Sequence, residues 1–205
     1  MTKKQVSNAR RSSIHLFSSI VKENHEKMIS LEVQIASLQE KHTKTNGEDE
    51  AILLEQEINP FQKDLAKSSI SVIVFSAMAV EAYIYDYAAR HLGDAFVKVH
   101  LDKLDTLSKW IIVPKLITGN ELPRQQHWFE LLKKLIKARN SIIHHKSSDV
   151  PAVSADINEY LKKQEADSNF LYETARQSVR LLDQLADKIT ELDPHESAWV
   201  NTYLK

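Results

Sequence analysis

The chain contains no cysteine and, among its 205 residues, only three glycines and five prolines. The lack of cysteine excludes disulfides and cysteine-based zinc sites. With three glycines, a glycine-rich phosphate-binding loop is also excluded, and with it nucleotide hydrolysis of the P-loop type. Tight turns between strands rely on glycine and proline. Their scarcity therefore predicts an all-α protein built from a few long helices.

An excess of charge of either sign is also missing, because 27 basic residues face 28 acidic ones. Proteins that coat nucleic acid are usually strongly basic, so any contact with RNA must come from a local patch. The longest apolar stretch, residues 70–82, is too short to span a bilayer, and the N-terminus lacks the apolar core of a signal peptide. We expect a cytoplasmic protein without membrane contact.

The first helix is predicted from about Asn8 to Lys41. Its apolar residues alternate at spacings of three and four, which is a heptad pattern. Two interpretations are open: a coiled coil with a partner or a second copy, or a long amphipathic helix packed on its own domain. The apolar positions of this pattern are Ile14, Phe17, Val21, Met28, Leu31, Ile35 and Leu38.

Polar residues 42–50, with Asn46-Gly47 as a turn signal, predict a loop after this helix. This loop is the expected boundary between an N-terminal amphipathic helix, residues 1–50, and a helical bundle, residues 51–205.

A second long helix is expected to begin at Asn59-Pro60, since asparagine suits the N-cap and proline the first helical position. It should end at Gly93, a good residue to follow a helix. Its middle, residues 70–87, is apolar almost all round, which is typical of a helix at the centre of a bundle.

The rest of the chain predicts three further helical regions. Residues 94–122 suggest one or two short helices, with Pro114 disfavouring a helix that runs through it. A third long helix should begin after Pro123. A final helical region, residues 154–192, is expected to break near residues 167–169.

The third long helix carries a concentration of positive charge. Between Arg124 and Lys146 there are six basic residues and one acidic residue, Glu130, in a chain of net charge −1. Such a patch could bind an anion, and Lys133, Lys137 and Lys146 are the candidate RNA-binding residues. The alternative is an ordinary solvated helix face.

Within this patch, Asn140 and His144 are four residues apart and share a helix face. Arg139 is five residues before His144, which places it about 140° away around an ideal helix. The two side chains can therefore meet only if the last turn loosens, if arginine reaches across a groove, or if a two-fold axis brings two copies of the segment together.

These residue types suffice for RNA cleavage without a metal or cofactor. Arginine offers a forked positive charge to phosphate oxygens, histidine can move protons near neutral pH, and asparagine can orient a neighbour or donate to an oxyanion. The other histidines are scattered without metal-ligand spacing. They are His15, His25, His42, His91, His100, His127 and His195.

The segment from Arg139 to His144 resembles the Arg, four to six residues, His motif of the HEPN superfamily, including the polar residue after arginine. The stretch AMAVEAYIYDYA, residues 77–88, resembles the family's other recurring segment, with Glu81 as its acidic residue. LSKWIIVPKLITG, residues 107–119, is also similar to an element of bacterial HEPN-like proteins.

The resemblance implies a bundle of four or five helices that forms a homodimer, with the two motifs facing each other. Many members of the family are metal-independent endoribonucleases, including toxins with a cognate antitoxin and antiviral effectors. By this resemblance, Arg139 would bind the phosphate, His144 would be the acid and base, and Asn140 would support them. Glu81 would hold Arg139, and His145 is an alternative to His144.

A non-catalytic interaction or scaffold protein is the rival hypothesis. In that case Arg139 and Glu81 would form a buried ion pair that fixes the bundle, and the first helix would engage a partner.

Overall fold

The structure is a computed structural model that describes residues 12–45, 47–144 and 157–204. Every regular element within these ranges is helical, which confirms the predicted all-α fold. The core is one continuous cluster to which all of the long helices contribute.

Helices α1, Ile14–Lys44, and α2, Glu48–Leu92, form an antiparallel hairpin. Three contacts fix the register: His42 lies 3.7 Å from Glu55, Ser69 Oγ lies 3.2 Å from Met28 Sδ, and Phe17 faces Phe75. The apolar heptad positions of α1 are buried against its own chain, apart from the partly buried Phe17. Of the two interpretations of this helix, packing on its own domain is the one observed.

Two details of this hairpin differ from the sequence-based predictions. The expected loop over residues 42–50 is shorter than predicted, since α1 continues to Lys44 and α2 begins at Glu48, and Pro60 lies inside α2 instead of starting it. The first turns of α2 pack on the end of α1, with Ile58 buried, and this packing offsets the hydrogen bond that proline cannot donate. The predicted start at Asn8 lies outside the described residues.

The middle of α2 lies at the centre of the bundle, as its apolar character predicted. Val72, Ile73, Val80 and Ile84 are fully buried. By length and composition alone α2 could cross a membrane, but 56% of its most apolar window is buried inside the protein. This is the pattern of a core helix and is compatible with a soluble protein. Gly93 ends α2 at φ 87°, where a side chain would be strained.

Shorter elements follow, namely α3, Asp94–Phe96, a π-helical turn, Val97–Leu101, and α4, Thr106–Thr118. The prediction that Pro114 prevents a continuous helix was wrong, because α4 runs through it. Pro114 and the neighbouring Val113 are buried, and packing again outweighs one missing hydrogen bond. The Trp110 indole is fully buried and donates to the Val80 carbonyl at 3.2 Å.

Helices α5, His127–Ile143, and α6, Ile157–Leu192, form a second antiparallel pair. A 3₁₀ turn, Pro194–Glu196, and α7, Ser197–Tyr203, then return the chain to α1, where Ser18 Oγ donates to the Tyr203 carbonyl. The predicted break at residues 167–169 was wrong. Asp, Ser and Asn lower helix propensity by less than ~1 kcal/mol each, which does not interrupt a helix anchored by later packing.

Candidate functional site

The predicted site residues lie at the C-terminal end of α5. This helix ends at Ile143, and the backbone N–H of His144 still donates to the Asn140 carbonyl at 3.0 Å. The last turn therefore keeps α-helical geometry and does not loosen. Arg139 and His144 consequently stay about 140° apart around the axis, and one copy of the chain does not bring them side by side.

Arg139 is partly exposed, on the edge of the buried face of α5. Its Nη1 donates to Asn140 Oδ1 at 3.1 Å, and no carboxylate of the described residues forms an ion pair with it. Glu81, which the sequence paired with Arg139, instead lies 4.0 Å from the ammonium of Lys109. Arg139 and Glu81 therefore do not form the ion pair that the resemblance implied, because α2 presents Glu81 to α4 and not to α5.

His144 is exposed at the end of the helix. No hydrogen bond or ion pair joins its imidazole to another described residue, so both ring nitrogens are open to solvent or to a ligand. His145 and Lys146, the other candidates of this segment, lie outside the described residues.

Lys137 and Lys133 lie about two and three helical turns before His144, on the same face of α5. Lys133 forms an ion pair with Glu130 at 2.8 Å and lies over the Phe129 ring, and Lys137 lies 5.3 Å from the Phe170 ring centroid on α6. Their exposed ammonium groups remain available to a polyanion, since single exposed ion pairs are weak. The patch is therefore positive and solvent-accessible, as expected from the sequence.

A second polar cluster, which no pattern in the sequence predicts, joins the end of α2 to the chain after α6. Arg90 donates through both terminal nitrogens to the two carboxylate oxygens of Glu196, one bond measuring 2.7 Å. Its Nε donates to Asp86 at 2.8 Å, and the Trp199 ring stacks on the guanidinium at 4.7 Å. Asp86 and Glu196 are buried.

Two tyrosines and a histidine extend this Arg90–Glu196 cluster. The Tyr83 hydroxyl donates to Glu196 at 3.3 Å, and the Tyr87 hydroxyl donates to Asp193 at 3.0 Å. His91 Nε2 lies 3.1 Å from Glu196. Every polar group of the cluster therefore has a partner, which is the condition for burying charge at tolerable cost.

The pKa values in this cluster follow from burial and charge. Burial opposes ionisation of Glu196, but the hydrogen bonds and charges of Arg90 and His91 outweigh it, so the pKa of Glu196 is lowered. Burial, together with the neighbouring carboxylates, raises the pKa of Tyr83 and of Tyr87, so both hydroxyls stay protonated as donors. The pKa of Arg90 is raised because its two carboxylate partners outweigh its desolvation.

His91, Asp193 and Glu196 each offer a ligand atom, and these atoms lie within 4.8 Å of one another. A metal ion would find suitable donor types there. However, both oxygens of Glu196 are already bonded to Arg90, whose positive charge repels a second cation. The cluster is better suited to joining α2 to the C-terminal segment than to holding a metal.

Comparisons with models of protein families, with curated proteins and with solved structures find no match to this chain. A function for this chain is therefore inferred from its own residues, such as Arg139 and His144, and from their geometry.

Proposed function

We propose that this chain is a metal-independent endoribonuclease that acts as a dimer, with its catalytic groups at the C-terminal end of α5. The observation that carries the proposal is the state of the motif residues. Arg139 has no ion-pair partner among the described residues, and the His144 imidazole is exposed and unengaged there. Both groups are therefore accessible to a phosphate and a ribose hydroxyl, which a guanidinium and an imidazole can bind and deprotonate.

The dimer follows from the helix geometry. Since Arg139 and His144 project in different directions from one α5, the proposed site takes Arg139 from one copy and His144 from another, so that one phosphate contacts both. A two-fold axis near the end of α5 places Arg139 of one copy opposite His144 of the other, and generates two equivalent sites.

In this site, the His144 imidazole takes the proton of a ribose 2′-hydroxyl. The 2′-oxygen forms a bond to the adjacent phosphorus, the bond from phosphorus to the 5′-oxygen breaks, and that oxygen leaves with a proton supplied by a protonated histidine or water. Arg139 and Asn140 stabilise the added negative charge on the phosphorane. The products are a 2′,3′-cyclic phosphate and a 5′-hydroxyl, and no metal takes part.

The lysines of α5 hold the substrate. Lys133 and Lys137 contact phosphates on either side of the cleaved bond without reading its sequence. A nuclease with so little sequence readout suits a toxin or an antiviral defence effector that is restrained by a cognate antitoxin.

The first test is cleavage of single-stranded RNA with EDTA present. We expect Arg139→Ala and His144→Ala each to lower the rate at least about a hundredfold, the scale of a general acid–base or oxyanion-stabilising group. Arg176→Ala and His15→Ala, which change exposed residues of the same types on other helices, should cleave like the wild type. Cleavage that survives both motif substitutions would remove these residues from the mechanism.

The second test addresses the shared site. In a mixture of Arg139→Ala and His144→Ala chains that exchange freely, about half of the dimers are mixed, and each mixed dimer has one intact site. Activity should then recover to about one quarter of the wild-type value. If each copy carries a complete site of its own, the mixture stays inactive.

A non-catalytic interaction protein is the second candidate, favoured by exposed apolar side chains on the α1–α2 hairpin. Val33 and Leu53 are 67% and 64% exposed, and Ile29 and Ile52 are about half exposed. Under this hypothesis no RNA is cut. Val33→Ser and Leu53→Ser would abolish binding of the partner while leaving the melting temperature unchanged.

A further inference from the structure

A cavity of about 280 Å³ lies between α5 and α6. It is formed by residues spaced three and four apart on each helix, so that two stripes face each other across the pair. Thr174 and Ser178 on α6 are small, and their hydroxyls already donate to helix carbonyls at 2.7 and 2.8 Å. The leucines opposite them on α5 do not fill the gap that these short side chains leave.

One part of the wall of this α5–α6 cavity is apolar, and the rest is formed by polar and charged side chains. Leu131 and Leu135 contribute from α5, and Phe170 and Leu181 from α6. Its volume lies near the lower end of the ~300–1,000 Å³ typical of small-molecule sites. An apolar body of modest size therefore fits, and a large cofactor does not.

Two cations stand at the rim of the α5–α6 cavity. Lys134 and Arg180 both line it, both are exposed, and neither forms an ion pair or hydrogen bond with another described residue. On the same helices, Lys133, Lys188 and Arg176 all form ion pairs with glutamates. Arg139 on α5 likewise lacks an ion pair, so what distinguishes the rim is that two such cations line one cavity.

The single acidic residue among those lining the α5–α6 cavity does not neutralise these two cations. Glu173 accepts a hydrogen bond from Gln177 at 2.9 Å and pairs with Arg176 at 3.3 Å. Glu173 also interacts electrostatically with Lys134. Since Lys134 and Arg180 together carry one more charge than Glu173, the residues that line the cavity keep a net positive charge that suits one anionic group.

We propose that this cavity binds a small amphipathic carboxylate, with its hydrocarbon part against Leu131, Leu135, Phe170 and Leu181 and its carboxylate between Lys134 and Arg180. Charge complementarity selects the anion, and the apolar wall selects the hydrocarbon. The site lies on the α6-facing side of α5, so it is separate from the proposed nuclease residues and does not depend on their activity.

Isothermal titration calorimetry with sodium octanoate tests the proposal on the full chain. We expect one binding site per chain, with octylamine, which has the same tail and the opposite charge, binding at least about tenfold more weakly. Lys134→Ala and Arg180→Ala should each weaken octanoate binding about fivefold, the loss of one exposed charge-assisted hydrogen bond. Lys133→Ala, one residue away but outside the cavity, is the matched control and should bind like the wild type.

A filling variant, Thr174→Leu, tests the apolar part separately and should abolish octanoate binding while the helical circular dichroism spectrum is retained. Should this variant fail to fold, the exposed-residue variants remain decisive. The proposal is overturned if octanoate gives no saturable binding, if octylamine binds as tightly, or if removing Lys134 and Arg180 has no more effect than removing Lys133.

Discussion

At the residue scale, Arg90 and Arg139 illustrate two fates of an arginine in a helical protein. Arg90 is held by two carboxylates and a tryptophan ring at the junction of α2 with the C-terminal segment. Arg139 makes one hydrogen bond, to the amide of the adjacent Asn140. The first arrangement stabilises the fold, and the second leaves the guanidinium free for a ligand.

Glu196→Gln should destabilise the protein by about 3 kcal/mol, because it removes the charge that balances a largely buried guanidinium. Chemical denaturation measured by circular dichroism gives this value. Glu191→Gln is the matched control, since it breaks an exposed pair with Lys188 and should cost less than about 0.5 kcal/mol. Equal effects of the two substitutions would contradict the role given to the Arg90–Glu196 cluster.

The lowered pKa of Glu196 also predicts a dependence on pH. A carboxyl whose pKa is lower in the folded than in the unfolded protein stabilises the fold above its ordinary pKa of 4.5, and this stabilisation is lost as pH falls through the folded value. The difference in melting temperature between wild type and Glu196→Gln should therefore shrink as pH falls below about 4. A difference that grows on acidification below this pH would contradict the assignment.

Arg139→Ala should change the free energy of unfolding by less than about 0.5 kcal/mol, since only a surface hydrogen bond to Asn140 is lost. Thermal melting measures this directly. A loss of several kcal/mol would instead support the buried ion pair of the scaffold hypothesis. Stability and RNA cleavage measured on this one variant therefore separate the two candidate functions.

At the element scale, prolines inside helices mark where packing outweighs local preference. Pro60 is exposed within α2, and Pro114 is buried within α4. Both helices continue because their apolar faces are buried on either side of the proline. Sequence rules for helix ends assume that the local preference decides, and here it does not.

Pro60→Ala should stabilise the protein by about 1–2 kcal/mol, since alanine restores the backbone hydrogen bond to the residue 56 carbonyl and relieves the ring clash, less the entropy that proline removes from the unfolded chain. Denaturation by urea measures this, with Gln62→Ala, at an exposed position two residues further along α2, as the control. A lower midpoint for Pro60→Ala would mean that the helix needs the proline.

At the scale of the whole molecule, α1 is part of the main core. Its buried side chains join the same cluster as those of α2, α5 and α6, and Ser18 donates a hydrogen bond to the carbonyl of Tyr203, the last residue of α7. Six apolar side chains of α1 are buried, at a value on the order of 10 kcal/mol in total. That amount is comparable with the whole stability of a typical domain, about 5–15 kcal/mol.

Deletion of residues 1–44 should therefore abolish the cooperative thermal transition and not merely lower its midpoint. Differential scanning calorimetry distinguishes these outcomes. Met28→Ala in the full chain is the comparison, since a loss of about 2–5 kcal/mol of stability should lower the midpoint and leave the transition cooperative. A truncated chain that melts cooperatively would instead support the predicted division at residue 50.

Much of this fold could be predicted from the sequence, because helix class and buried faces are local properties. The scarcity of glycine and proline, the heptad pattern of α1 and the apolar middle of α2 all led to the observed helices. Pro60, Pro114 and residues 167–169 lie inside helices, contrary to the predictions, because packing between helices holds these segments in helical form. The chain does turn between α1 and α2 within the predicted loop over residues 42–50, although both helices extend further into that segment than expected.

The candidate site was predictable only in part. The positive charge of α5 follows from its composition and the separation of Arg139 from His144 follows from helix periodicity. The partner of Glu81 follows from neither, because Lys109 and Arg139 are both remote from it in sequence. The Arg90–Glu196 cluster joins residues about a hundred positions apart and carries no sequence signal.

Three properties of this protein can be predicted from its sequence alone. They are its helical class, the buried face of each long helix, and the different directions in which Arg139 and His144 project from one helix. These properties depend on the regular geometry of residues close together in the chain. Three other properties are visible only in the tertiary structure. Arg90 is buried with Glu196, Arg139 has no carboxylate partner among the described residues, and small residues on α6 leave a cavity against α5. Those outcomes depend on which distant side chains meet when helices pack, and helical periodicity places no constraint on that.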